Sequence, residues 1–298
     1  MIIKFKQFET YICKSLEYSD SITESKGIPD TIKIFTEIIF NRIDLNETEY
    51  FIDINKHDLK IKNLKIKIED IKIDTYKVYS LFGNFIDKQL VNPLIYIGFD
   101  FDKYNYKELK RIITHELLHI YEVYQRCKND TVNGLQWVLL EKIQELRNKY
   151  EDDKFLSDLC IVIYYSSDQE LNAVVAQTYT ILMSCNSTDK KILSDEMNKS
   201  KSWNICNQLM LFDKKDYTIN YDRCIEFFKE LNKVMKVVSN KKYNIFDIPE
   251  SKKDVDKIIK NYIYLFRKKG KYLKSKLIKV VGEVIKDINE FNSKEDIS

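Results

Sequence analysis

The spacing of apolar residues changes once along this 298-residue chain, close to Asn105, and that change strongly constrains the fold. From Tyr50 to Phe101 apolar and polar residues alternate, as in Leu64-Lys65-Ile66-Lys67-Ile68, which is the period of a half-buried β-strand. After Asn105 apolar residues recur every three to four positions, which is the period of an amphipathic helix. The sequence therefore predicts an α+β fold: a small antiparallel or mixed sheet, then a helix, then a mainly helical part.

The same pattern predicts the order of the elements. The last strong strand candidate is Leu94–Phe101, in which Ile95, Ile97, Phe99 and Phe101 would share one face. Helices are predicted over residues 6–18, 30–42, 106–127, 135–150, 154–165, 168–184, 202–212, 220–238, 252–268 and 272–291. Asn186-Ser187-Thr188-Asp189 interrupts the periodicity, so we expect a first domain over residues 1–190, with its sheet at about 50–101 and a helix at about 106–127, and a helical region over 191–298.

Composition excludes several classes of protein. The 49 basic and 46 acidic residues nearly cancel to a formal charge of +3, so a dedicated nucleic-acid binder is not expected. No window approaches 18 uninterrupted apolar residues and no secretory signal is visible, so we expect no membrane span. The six dispersed cysteines form no C-x-x-C pair, which favours reduced thiols. These features predict a cytoplasmic protein. The abundance of Ile, Lys, Asn and Tyr is typical of an AT-rich bacterial or phage genome, so the alternative is a phage-encoded protein found in the host cell or virion.

The motif His115-Glu116-Leu117-Leu118-His119 carries the chemistry, in a chain that has only three histidines. Residues four apart lie on one face of a helix, so both imidazoles can converge on one ion, and zinc accepts neutral imidazole nitrogen. Glu116 is offset by about 100° around the helix and can flank the metal, where a carboxylate can take a proton from water. The motif therefore predicts a Zn²⁺ site with Glu116 as the catalytic base.

The third ligand is less well determined by the sequence. Glu122 follows His119 on the same face, but it lies about 10.5 Å along the helix axis from His115, so it is interpreted as a surface residue or a neighbour of the ligands. Glu170, in the first turn of a later predicted helix, is the better candidate. Alternatives remain open, because Ser167-x-x-Glu170 is also the pattern of a capping box and other acidic residues lie nearby: Asp168, Glu141 and Glu145.

The motif together with Glu170-Leu171-Asn172-Ala173 resembles the gluzincin metallopeptidases, and it is similar to small predicted gluzincins of bacteria and phages whose later helix carries E-x-x-A. The resemblance covers about residues 90–185. It implies a zincin-like fold, a Zn²⁺ ion held by His115, His119 and Glu170, a peptide or protein substrate, and pairing of Leu94–Phe101, as a sheet edge, with that substrate. An ordinary buried strand is the alternative interpretation of Leu94–Phe101.

One position departs from the family. Some gluzincins carry an aspartate four residues after the ligand glutamate, where it orients a histidine, but this chain has Val174 there. The residue that orients the histidines therefore stays open, with Asn172 and Thr114 as candidates.

A side-chain donor usually stabilises the oxyanion of such a reaction. Tyr165 is the candidate for that donor, with two other tyrosines, Tyr164 and Tyr179, also close to Glu170 in the sequence.

Two other functions compete with a peptidase. The chain could be a non-catalytic structural or interaction protein, for example a phage particle component that keeps a zincin-like body. It could also be a zinc hydrolase that acts on a non-peptide amide. Glu116 favours an enzyme, because a non-catalytic descendant has no need of the base.

Overall fold

The computed structural model describes residues 48–56, 59–72, 77–103, 105–128, 135–239 and 248–295. The predicted helices over 6–18 and 30–42, and His57, lie outside these residues. Within them the fold is α+β, with a mixed sheet followed by helices, which confirms the predicted class.

Six strands form one mixed sheet: β1 Glu49–Lys56, β2 Leu59–Asp70, β3 Lys77–Leu81, β4 Asn84–Ile86, β5 Gln89–Val91 and β6 Leu94–Phe99. β2 is paired on both edges, antiparallel to β1 on one and parallel to β5 and then β6 on the other. β3 pairs antiparallel with β6, and β4 pairs antiparallel with β5. The sheet therefore combines local hairpin pairing with pairing of distant segments.

β6 is an interior strand, so the interpretation of Leu94–Phe101 as a sheet edge is wrong, and the alternative, a buried strand, is confirmed. Its residues pair with β2 on one side, as in Ile66 with Ile95, and with β3 on the other. Ile95, Ile97 and Phe99, which were predicted to share one face, are fully buried, whereas Phe101 lies beyond the strand and is 38% exposed. Among the described strands, β3 is the one that flanks β6 at the outside of the sheet.

Helix α1, Tyr106–Lys128, packs against the buried face of the sheet. Its inward side chains are apolar and spaced at three and four residues, so they form one stripe against the strands. Ile112, Ile113, Leu117, Leu118 and Ile120 are each at most 4% exposed. This stripe fixes the rotation of α1 and with it the direction in which His115 and His119 point.

The remaining helices are α2 Leu135–Lys149, α3 Lys154–Tyr165, α4 Asp168–Met183, α5 Lys190–Lys199, α6 Lys201–Leu211, α7 Tyr221–Ser239 and α8 Lys252–Glu295, with a short 3-10 helix at Lys214–Asp216. α5 was not predicted; it begins at Asp189, whose carboxylate accepts the backbone N–H of Lys191 and Ile192. α8 runs through the predicted break near Gly270 as one helix of 44 residues.

The described residues divide into two compact units. One, over residues 135–171 and 203–276, is helical and holds an aromatic core that includes Phe155, Phe212 and Phe266. The other contains the sheet, α1, α4 from Asn172 onward, α5 and the end of α8. The predicted domain boundary near residue 190 stays a prediction. No described helix combines the length and the apolar character that crossing a membrane requires.

Candidate metal centre

His115 and His119 project from the same face of α1, one turn apart. Their Nε2 atoms lie 2.9 Å from each other, and the rings stand at 89°. His119 is 4% exposed and His115 is partly buried. The H-E-L-L-H segment therefore directs two imidazole nitrogens toward one point.

Glu170 joins the two histidines. The ligand atoms of His115, His119 and Glu170 all lie within 4.8 Å of one another, and Glu170 is 1% exposed. Glu170 lies in the first turn of α4, where Ser167 accepts its backbone N–H at 3.3 Å. The backbone N–H of Ser167 donates to the carbonyl of Tyr164 at 3.2 Å.

The chemistry of these donors fits a metal ion. Two ligands of a tetrahedral zinc ion are about 3.3 Å apart, close to the separation of the two Nε2 atoms. A buried carboxylate also needs a compensating positive charge, which a cation between the three residues would supply. The His115/His119/Glu170 group could therefore hold a metal ion.

Electrostatics keep His115 in the form that binds metals. Burial lowers the pKa of His115 well below its usual value, and the neighbouring charges of His119, Arg111 and Lys201 act in the same direction. A histidine with a lowered pKa is neutral at neutral pH, so its lone pair is available to a cation. Protons therefore compete weakly for this ligand.

The outer nitrogens of both imidazoles also have polar neighbours. The side-chain amide nitrogen of Gln177, on α4, lies 2.6 Å from His115 Nδ1. A Glu122 carboxylate oxygen lies 3.7 Å from His119 Nδ1, and Glu122 is 8% exposed, so it neighbours a ligand and is not a surface residue. Of the candidate orienting residues, Thr114 bonds instead to the Lys110 carbonyl, and Asn172 is partly buried on α4.

Glu116 is held by the sheet. Its Oε2 accepts a hydrogen bond of 2.6 Å from the Ser80 hydroxyl of β3, and the carboxylate is partly buried. The helix places Glu116 about 100° around its axis from His115, so Glu116 leaves the ligand face to the histidines.

The described contacts of the tyrosines near Glu170 in the sequence do not assign an oxyanion donor. Tyr165 is the last residue of α3, and its ring contacts Tyr164 edge to face at 5.2 Å. Tyr179 is buried, and its hydroxyl donates to Asp287 at 2.8 Å. The role of Tyr165 as a donor stays a prediction.

Asp168, Glu141 and Glu145 were the alternative candidates for the third ligand. Glu145 forms an exposed ion pair with Lys142, at 2.7 Å for one of its oxygens. The side chains of Asp168 and Glu141 lie outside the described residues. Within the described part of the chain, Glu170 is the acidic residue that forms a group with both histidines.

Two residues of the site were not predicted. Gln177 lies seven residues after Glu170, and positions seven apart share a helix face, so this spacing could have identified it. Ser80 carries no local signal, because its contact with Glu116 depends on the pairing of β3 with β6.

Comparison with protein-family models, with curated proteins and with solved structures found no match to this chain.

Proposed function

We propose that this protein is a zinc-dependent metallopeptidase in which His115, His119 and Glu170 hold the metal and Glu116 is the general base. The observation that carries the proposal is the convergence of two imidazoles from α1 and a carboxylate from α4, with ligand atoms within 4.8 Å. The order of mixed sheet, α1 and a later helix that carries Glu170 supports a zincin-like arrangement.

Zinc is the metal that the donor set favours. Two histidines and one glutamate are a common ligand set of catalytic zinc, which takes three protein ligands and leaves one position open. Manganese and iron accept the same donors, so the identity of the metal is part of the proposal and requires a metal analysis of the purified protein.

Glu116 is the residue that moves protons in the proposed reaction. A bound zinc ion supplies Lewis acidity, which polarises the scissile carbonyl and makes a water molecule easier to deprotonate. Glu116 takes a proton from the attacking water as the C–O bond forms, and it delivers that proton to the amine as the C–N bond breaks. The bond from Ser80 holds one carboxylate oxygen of Glu116, which leaves the other oxygen for the water.

A peptide is the substrate class that β3 supports. Among the described strands β3 pairs with β6 alone, so its outer edge can offer backbone N–H and C=O groups to an extended chain. Ser80 connects this strand to Glu116. A peptide bound along β3 would therefore run close to the proposed base.

The test combines metal content with cleavage. Metals in the purified protein are measured by mass spectrometry for the wild type, Glu170→Gln and Glu116→Gln, together with cleavage of a mixed peptide library. We expect about one zinc ion per wild-type chain, loss of zinc in Glu170→Gln, and loss of cleavage with zinc retained in Glu116→Gln. Glu145→Gln is the matched control, since Glu145 is an exposed glutamate, and it should keep both properties.

Other outcomes separate the competing functions. Zinc in the wild type without cleavage of any peptide would favour a non-catalytic interaction protein or a hydrolase of non-peptide amides. No metal in the wild type, under conditions that spare weakly bound ions, would contradict the proposal.

A further inference from the structure

Gln177 is a buried polar residue that contacts a proposed metal ligand from its outer side. It is 6% exposed and lies on α4, seven residues after Glu170. Two helical turns separate these residues by about 10.5 Å along the axis, which leaves room for the ring of His115 between their side chains. Glu170 approaches the ligand side of the histidines, while Gln177 approaches Nδ1 of His115.

The orientation of the Gln177 amide determines which nitrogen of His115 carries the proton. The amide nitrogen can only donate and lies 2.6 Å from Nδ1, so a hydrogen bond in this arrangement requires the tautomer with the proton on Nε2, which lies 2.9 Å from the Nε2 of His119. In that tautomer the Nε2 lone pair of His115 is not available to a metal. Metal binding at Nε2 requires the proton on Nδ1, which then needs an acceptor.

A half-turn of the amide supplies that acceptor. The carbonyl and NH₂ ends of a glutamine side chain have nearly the same size, so exchanging them requires little repacking even when the side chain is buried. Glutamine can therefore satisfy either tautomer of His115. A carboxylate at this position would satisfy only the tautomer that binds metal.

We infer that Gln177 is the positioning residue for His115, and that its amide turns to accept the Nδ1–H when the metal binds; this inference rests on the proposed metal site. Gln177 thereby orients a histidine, which is the role of the aspartate that some gluzincins carry at the position of Val174. Because its amide serves both states, the metal-free site keeps a satisfied hydrogen bond and can be loaded reversibly.

The test compares substitutions that remove or fix the acceptor. Zinc dissociation constants are measured by competition with a chelator for the full chain as wild type, Gln177→Met and Gln177→Glu. We expect Gln177→Met to bind zinc about tenfold to a hundredfold more weakly, which is the usual effect of losing such a partner, and Gln177→Glu to bind at least as tightly as the wild type. The matched control is Thr178→Val, which removes a buried hydroxyl bonded within α4 and should leave the dissociation constant unchanged.

Thermal stability separates positioning from a merely structural role. In Gln177→Glu the carboxylate cannot donate to Nδ1, so we expect a lower Tm than wild type in chelator and a larger increase of Tm when zinc is added. The visible absorption of the Co²⁺-loaded proteins should change in Gln177→Met and not in Thr178→Val, because the orientation of a ligand changes.

The failures of the two proposals are distinguishable. Wild-type zinc affinity retained in both Gln177 variants would overturn this inference and leave the metal site standing. If Gln177→Glu lowers the Tm by the same amount in chelator and with zinc, this inference is also overturned, because a purely structural role of Gln177 predicts equal losses. A wild type that binds no zinc would contradict the metal site itself and this inference with it.

Discussion

Ser80 contacts the proposed base directly, although it comes from a strand 36 residues earlier in the chain. In Ser80→Ala the Glu116 carboxylate loses one fixed hydrogen bond, which is worth about 1 kcal/mol and corresponds to about a fivefold fall in kcat. The measurement is steady-state hydrolysis of a peptide substrate, with zinc content determined on the same samples.

The control for Ser80 is Ser184→Ala, which removes a hydroxyl bonded to the Ile181 carbonyl. It should keep the wild-type kcat. An unchanged kcat in Ser80→Ala with full zinc occupancy would show that Ser80 does not position Glu116.

The cysteines differ in burial, and this difference predicts their reactivity. Burial raises the pKa of the Cys160 and Cys224 thiols to about 12, so at pH 8 only about one thiol in ten thousand is a thiolate. Cys185 is partly exposed. We expect iodoacetamide to modify Cys185 in the native protein long before Cys160 or Cys224, as resolved by peptide mass spectrometry.

Unfolding provides the control for this experiment. In concentrated guanidinium all three thiols should react at similar rates, because burial no longer separates them. Equal rates in the native protein would contradict the described packing of Cys160 and Cys224.

The sequence predicted some residues of the site and not others, for a physical reason. His115, Glu116 and His119 follow from helix geometry alone, since their spacing lies within one helical turn. The prediction of Glu170 as a ligand was supported by the resemblance to gluzincins, because the position of Glu170 depends on how a second helix packs. The contact of Ser80 with Glu116 spans 36 residues, and hydrophobic periodicity does not report it. Gln177 contacts His115 across 62 residues, and its one signal in the sequence is its spacing of seven from Glu170.

At the scale of elements, helix α8 shows how packing overrides local propensity. Two separate helices were predicted over 252–268 and 272–291, and Gly270, a residue of low helix propensity, lies between them. In the structure a Cβ at Gly270 would lie 2.5 Å from Cγ of Met210 on α6. The glycine therefore serves the close approach of two helices within one unit, and the helix continues through it.

Two glycines of α8 provide a matched pair of substitutions. Gly270→Ala should destabilise the protein by about 1–3 kcal/mol through overpacking against Met210, offset in part by helix propensity. Gly282→Ala meets nothing within 4 Å and should instead stabilise it by about 0.5–1 kcal/mol. Urea unfolding measures both, and effects of the same sign would contradict the described packing of α8.

Helix α5 was not predicted because it is too short and too polar for hydrophobic periodicity to reveal it. In this ten-residue helix only Leu193 and Met197 are buried, which is too few apolar positions for a period to be recognised. Its start does have a local signal, because Asp189 is a favoured N-cap residue and accepts the Lys191 N–H at 2.7 Å. The predicted interruption at 186–189 was therefore the beginning of a helix.

At the scale of the molecule, metal binding should be linked to folding. Glu170 lies more than fifty residues from both histidines in the sequence, so the three proposed ligands meet only in the folded chain. A ligand that binds only the native state stabilises it, by about 2.7 kcal/mol at a concentration one hundred times its Kd. We therefore expect zinc to raise the free energy of unfolding of the wild type and chelators to lower it.

Two variants separate this linkage from nonspecific zinc binding. Glu170→Gln should show a much smaller response to zinc, whereas Glu145→Gln should respond as the wild type does. An equal response in Glu170→Gln would mean that zinc binds elsewhere on the chain.

X-ray absorption at the zinc edge of the loaded protein tests the central claim most directly, because it identifies the ligand atoms. We expect nitrogen and oxygen neighbours at about 2.0–2.2 Å, with an imidazole signature from two histidines, and a first shell that changes in Glu170→Gln. Sulfur neighbours at about 2.3 Å would assign the metal to cysteines, and a shell without imidazole would contradict the proposed centre.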